Sequence, residues 1–224
     1  IGQLYGYKDD MDACYMRDSV IPLDSNRKLS LSIDTHGNNV DSISYEIRST
    51  DMERKIAETK IDNFSTSDNG IIDLNLQIEN LTEEGTEYLF IIKLKCRGED
   101  VRYYTRILIP SNCHEKELFD FVKYFHDTSL KGNYTELGMY METSPNANTD
   151  TLSDVTLSSS VDQVGFSGFD ATEVSTPIIE IKDINSDYCV YEMSYQLQLN
   201  DNGKVSYFNV KEYYKVRYTP SRIC

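Results

Sequence analysis

Residues 188–218, YCVYEMSYQLQLNDNGKVSYFNVKEYYKVRY, decide the fold of this chain. Cys189, Tyr191, Met193, Tyr195, Leu197 and Leu199 alternate with Val190, Glu192, Ser194, Gln196 and Gln198. A period of two marks a strand with one buried face. After Asn200-Asp201-Asn202-Gly203 the alternation resumes with Phe208, Val210, Tyr214, Val216 and Tyr218. A two-residue turn at Asn202-Gly203 suits the strand twist, because both residues tolerate positive φ. It sets Leu197 opposite Phe208, Tyr195 opposite Val210, Tyr191 opposite Tyr214 and Cys189 opposite Val216. A loop one residue longer would put apolar residues against polar ones. The stretch therefore specifies a half-buried antiparallel sheet, which is architecture and not chemistry.

The same alternation runs through the first half of the chain. Leu29, Leu31 and Ile33 predict one strand, and Ile43, Tyr45 and Ile47 the next, beyond the turn-rich His36-Gly37-Asn38-Asn39. A weaker strand is expected at 55–61, and a fourth at Ile72, Leu74, Leu76 and Ile78. Tyr88, Phe90, Ile92, Leu94 and Cys96 give a fifth; Val101, Tyr103, Thr105, Ile107 and Ile109 give a sixth. A turn around Gly98-Glu99 would pair Cys96 with Val101, Leu94 with Tyr103 and Phe90 with Ile107. Short strands at this spacing, separated by polar turns, predict a β-sandwich. Between Ser111 and Leu130 the period changes, since Leu118, Val122 and Phe125 recur at helical spacing and Phe119 and Phe121 widen the stripe. Asn112 and Glu115 fit a capping box. Further strands are expected around Leu137, Met139 and Met141, then from Val155 to Phe166, then at Ile179 and Ile181. Residues 142–150 read as an exposed loop.

Composition narrows the function classes. With 224 residues and a net charge of −15, the chain is large enough for a real core and a poor fit to nucleic acid or anionic membrane. No apolar run approaches the roughly 20 residues of a membrane span. The five cysteines form no CxxC pair, so no structural metal is expected, although a Cys96–Cys113 bridge is conceivable. His36, His114 and His126 belong to no catalytic motif, and a solvated or capping role is expected for each. Asp183-Ile184-Asn185-Ser186-Asp187 begins like a calcium loop but lacks the following Gly and the later Glu. Three glycosylation sequons start at Asn63, Asn80 and Asn133. We expect no enzyme activity and no cofactor. The candidate ligand or partner residues are Tyr207 and Tyr213 on the polar face of the closing hairpin, with Gln198 and Glu192 opposite them. Exposed Tyr beside amide and carboxylate groups stacks on sugars or anchors proteins. The competing expectation, favoured from sequence, is that a second layer buries both rings.

Two resemblances add to this. Asn80-Leu81-Thr82-Glu83-Glu84-Gly85-Thr86-Glu87-Tyr88 resembles the strand E to strand F corner of fibronectin type III domains. The resemblance implies that Leu81 plugs the core and that Tyr88 buries its ring and returns its hydroxyl to nearby backbone. The core Trp of that family is absent, and Tyr45 stands in its place. Residues 156–166, with Ser158-Ser159-Ser160-Val161 and Gly165-Phe166, and residues 210–219 are similar to uncharacterised extracellular, membrane-anchored proteins of Gram-positive anaerobes. That similarity implies an extracellular or cell-surface location. The chain opens with Ile1-Gly2-Gln3 and stops at Cys224 just past a patterned strand, so a trimmed fragment is expected, anchored by a segment outside it.

The expected fold class is all-β (mainly β), with two immunoglobulin-like or β-sandwich-like domains joined by one amphipathic α-helix. The expected divisions are an extended N-terminal lead at 1–27, a fibronectin type III/immunoglobulin-like sandwich at 28–110, a connecting helix at 111–130, and a second β-rich domain at 131–224. The expected function is a non-catalytic interaction or spacer module of a bacterial cell-surface or secreted protein. Its partner would be a protein or glycan, and this chain would not itself insert in a membrane. The alternative is a carbohydrate-binding module using exposed tyrosines.

Overall fold

The chain folds mainly as β, in largely antiparallel sheets with, among the described residues, three helices. The structure is a computed structural model that describes every residue except Ile1, Asn80, Thr82, Asn112, Thr143, 147–150 and Gly168. The Asn80 sequon, the Asn112 cap and parts of the 80–88 corner and the 142–150 loop thus lie outside the described residues. Two compact units emerge. One comprises 2–113 with 180–186, the other 114–179 with 187–224.

The first unit contains β1 (Gly6–Tyr7), β2 (Val20–Pro22), β3 (Lys28–Asp34), β4 (Val40–Arg48), β5 (Lys55–Ile61), β6 (Ile71–Gln77), β7 (Glu87–Cys96) and β8 (Glu99–Leu108). All six alternating runs are strands. One sheet has the order β1-β8-β7-β4-β5 with β2 parallel on β8, and β3 with β6 forms a second. Leu29, Ile72 and Leu74 from the small sheet and Ile43, Tyr45, Phe90 and Ile107 from the large one share a single core. This is a two-sheet sandwich. Because β3 and β4 belong to different sheets, the turn at His36-Gly37 passes between layers and does not close a hairpin.

Three details differ from expectation. The β7–β8 turn is Arg97-Gly98, both at positive φ (52° and 82°), so Leu94 pairs with Val101 and Phe90 with Thr105. The two-residue slip preserves the buried face, which is why alternation alone could not detect it. Second, β7 is buried on both faces. Leu89 and Ile91 point away from the sandwich core into a second cluster with Ala13 and Tyr104, against which Tyr7, Met11 and Met16 of the N-terminal lead pack. Buried Arg106 fixes that lead by donating to the carbonyls of Met16 and Cys14, at 3.1 Å each, and to Glu87 at 2.8 Å. Third, Leu81 and Tyr88 are buried as the corner requires, and among the described residues the Tyr88 hydroxyl reaches the Glu83 carboxylate at 3.4 Å.

The second unit holds α1 (Glu115–Leu130), α2 (Tyr134–Leu137), α3 (Val161–Val164), β9 (Asp170–Glu173), β11 (Tyr188–Asp201) and β12 (Lys204–Arg217). The intervening β10 (Ile178–Ile184) spans the division between the units. β11 pairs antiparallel with β12 in the predicted register throughout, from Cys189 opposite Val216 to Asp201 opposite Lys204. Asn202 and Gly203 make the turn at φ 50° and 93°. β9 pairs with the distal half of β11.

The helix serves as a cover as well as a link in the chain. It lies on this sheet, burying Leu118, Val122, Phe125 and His126, with Phe119 against Tyr191 and Phe125 edge-on to Tyr214. Its first residue is Glu115 and its N-cap is His114, which makes no side-chain cap. The strands expected near Leu137 and between Val155 and Phe166 are instead loop and the short helices α2 and α3. Asn133 caps the first, accepting from the Glu136 amide at 3.4 Å. Ser160 and Gln163 form a reciprocal capping box on the second. Local side-chain bonds to the backbone outweighed a weak alternation.

Candidate functional site

The pairing of β11 with β12 places the four sequence-named residues as expected, Glu192 opposite Tyr213 and Gln198 opposite Tyr207. The competing expectation fails for both rings. Tyr207 and Tyr213 are 69% and 68% exposed, because α1 packs on the other face of the sheet, the one carrying Glu212 and Tyr214. Between the two tyrosines lie Asn209 and Lys211, the latter bonded to Glu192 at 2.9 Å. Six residues of strand separate the rings by on the order of 20 Å, so one sugar ring cannot stack on both.

The same strand is also an edge. Among the described residues, β12 pairs only with β11 along its length. Since Asp201 and Lys204 close the turn, the even-numbered residues of β12 bond inward and the odd ones, Val205 to Arg217, turn their N–H and C=O outward. Arg217 demonstrates this. Its outward N–H donates to the Cys224 carbonyl at 2.6 Å, and its carbonyl accepts from the Cys224 N–H at 3.0 Å.

Sequence reasoning missed a buried polar cluster on the helix-covered face. His126, expected to be solvated or capping, is 4% exposed. Its Nδ1 lies 3.0 Å from Glu212 Oε2 and its Nε2 2.9 Å from Glu173 Oε2. The Tyr195 and Tyr214 hydroxyls donate to the Glu212 carboxylate at 2.7 and 2.5 Å. The Tyr195 ring stands edge-on to the imidazole at 4.8 Å. Only a doubly protonated ring donates to both carboxylates. Burial works against that charge, but Glu212 and Glu173 outweigh it and raise the His126 pKa above its ordinary 6.5. Burial likewise pushes the Glu212 carboxyl up, yet His126 and the two phenols hold it below 4.5. Burial and Glu212 raise both phenol pKa values. General acid–base work needs a ring nitrogen that a substrate can reach. Here both nitrogens tie α1 to β9 and β12. The i, i+4, i+7, i+8 stripe ending in His126 was the available signal, since the eighth position falls on the buried face.

Elsewhere the expected sites are occupied by their neighbours. Asp183 of the calcium-like segment pairs with Arg17 at 3.0 Å. His36 is exposed beside Asp34, and His114 stacks on Tyr218 at 3.6 Å between centroids. Cys96 and Cys113 are not bridged to one another. A shallow depression of about 460 Å3 is lined by Lys8, Asp9, Asp10, Glu99, Asp100 and Arg102. Within it Lys8 pairs with Glu99 at 2.6 Å. Among the described residues, no group of three or more His, Cys, Asp or Glu is placed to hold a metal ion. Among the same residues, no helix is long and apolar enough to cross a membrane.

No protein-family model, curated protein or solved structure matches this chain.

Proposed function

We propose that this chain is a non-catalytic interaction module of a bacterial cell-surface or secreted protein. The observation that carries the reading is β12, a fourteen-residue edge strand whose open face presents Tyr207 and Tyr213 to solvent. Large aromatics on an otherwise polar surface are the anchors that protein interfaces favour. The engagement of both His126 nitrogens supports a structural role for the most perturbed titratable cluster. The first unit acts as spacer. Its two-sheet sandwich, with Leu81 and Tyr88 buried, supports the fibronectin type III-like or immunoglobulin-like reading.

The test places a photoreactive phenylalanine at Tyr207 or Tyr213, with the more exposed Tyr15 as control, and exposes the chain to intact Gram-positive cells. Discrete protein adducts from 207 and 213 and none from 15 support the reading, and indistinguishable patterns overturn it. The second reading, a carbohydrate-binding module, is favoured by Gln198 and Glu192 standing opposite the exposed rings. Retardation in polysaccharide-containing native gels that Tyr213→Ala abolishes would establish it in place of the first.

A further inference from the structure

Thioether side chains fasten the N-terminal lead to the outer face of β7. Met11, Met16 and Met52, half the methionines of the chain, pack partly buried around Ala13, Leu89, Ile91 and Tyr104. The Met52 Sδ also accepts the Ala13 N–H at 3.0 Å, which ties the lead to the turn after β4. A thioether is a weak acceptor, so such a bond persists only where both groups are held in place. The turn holds the sulfur. Met52 sits at φ 62°, its N–H donates to the Ser49 carbonyl at 2.9 Å, and its carbonyl accepts from Arg48 at 3.1 Å. Arg48 is itself paired with buried Glu46 at 2.8 Å. The lead is held on its own side. The Tyr104 hydroxyl accepts the Met11 N–H at 2.9 Å, and Arg106 donates to the carbonyls of Cys14 and Met16. Met52 remains partly exposed, within reach of a small oxidant, whereas Met193 is 1% exposed.

We propose that Met52 is an oxidation site whose sulfoxide loosens residues 7–13 of the lead from β7. The oxidant is hydrogen peroxide. A sulfur lone pair takes one peroxide oxygen, the O–O bond breaks, and the hydrogen of the transferred hydroxyl leaves with the other oxygen as water. Sulfur loses two electrons and peroxide gains them. The new oxygen has three places to go, and none keeps the clasp. On the Ala13 side it falls inside the contact distance of the amide that the sulfur now meets at 3.0 Å. Turned into the cluster, it buries an unpaired acceptor against Leu89 and Ile91. Turned to solvent, it draws the side chain out of the cluster. Cys14 competes poorly for the oxidant. Its thiol donates to Asp12 at 2.7 Å, and that carboxylate raises its pKa, away from the reactive thiolate. Methionine sulfoxide is reducible, so the loosening is reversible.

The experiment exposes the full chain to hydrogen peroxide and follows amide hydrogen exchange by mass spectrometry of its fragments. Amides of residues 8–13 should exchange about tenfold faster once Met52 carries the added oxygen, with β3 and β6 unchanged. Treatment with the two methionine sulfoxide reductases and dithiothreitol should restore the slow exchange, one enzyme acting on each sulfoxide epimer. Met52→Leu keeps the apolar volume and offers no sulfur. In that variant peroxide should change the exchange of 8–13 no further, although Met11, Met16 and the exposed Met139 still oxidise. Three results overturn the proposal. They are slow exchange of 8–13 in chains whose fragment masses show Met52 sulfoxide, an unoxidised Met52 at doses that convert Met11 and Met139, and a peroxide response of Met52→Leu equal to that of the native chain. The reductase reversal needs no variant, so a folding defect in Met52→Leu leaves the test intact.

Discussion

His126 stands between two carboxylates that would otherwise repel one another under α1. Breaking a buried ion pair leaves uncompensated charge and typically costs several kcal/mol. Glu173 and Glu212 keep partial solvent access, which reduces the penalty, so His126→Ala is expected to lower unfolding free energy by about 3 kcal/mol in urea titration. The pH dependence follows from the two shifts. With its folded pKa raised, His126 contributes fully below its ordinary 6.5, and that contribution is lost as pH rises through the folded value. With its folded pKa lowered, Glu212 contributes above its ordinary 4.5 and loses that as pH falls through the depressed value. The cluster therefore stabilises most between about 4.5 and 6.5, with a limb on either side. His126→Gln should remove the alkaline limb. An unchanged fall above pH 6.5 in that variant would assign the limb to another group. None of this was legible in the sequence, because Glu173, Glu212 and Tyr195 are brought to His126 by pairings between strands far apart in the chain.

At the scale of elements, the closing hairpin was legible almost residue by residue, and its turn shows why. Asn202 and Gly203 occupy positive φ, Asn200 accepts from the Gly203 amide at 2.9 Å, and this turn selects one register among those that the flanking alternation allows. Replacing Gly203 by Val puts a β-branched residue at φ 93° and should cost about 1 kcal/mol or more. A melting temperature unchanged in Gly203→Val would mean that the turn relaxes freely. Arg97-Gly98 makes an equivalent turn, yet its register was misjudged by two residues, since nothing in the alternation distinguishes registers that keep the same face. The helices α2 and α3 were hidden for another reason. Four-residue helices carry too few turns to display a period, and only the Ser160–Gln163 spacing betrayed the second. In α1 the apolar stripe was plain, but the surface it covers was not, because a stripe states that a face is buried and not what buries it.

At the scale of the whole molecule, strand count and alternation were enough for a mainly β chain, and the run Tyr88–Leu94 shows what more could be read. Six apolar residues in seven, interrupted only by Lys93, indicate a strand covered on both faces, and the acidic N-terminal lead is that second cover. Charge is the other property that belongs to no single element. With 37 acidic and 22 basic side chains, self-repulsion opposes the compact state, while exposed pairs such as Lys8–Glu99 each contribute little. Salt screens both effects, and the uncompensated excess of carboxylates makes repulsion the larger. Raising ionic strength from about 10 mM to about 150 mM, which shortens the Debye length from roughly 30 to 8 Å, should raise the melting temperature at pH 7. A fall would mean that the ion pairs at Arg17, Glu87 and Arg106 and around Glu46 dominate.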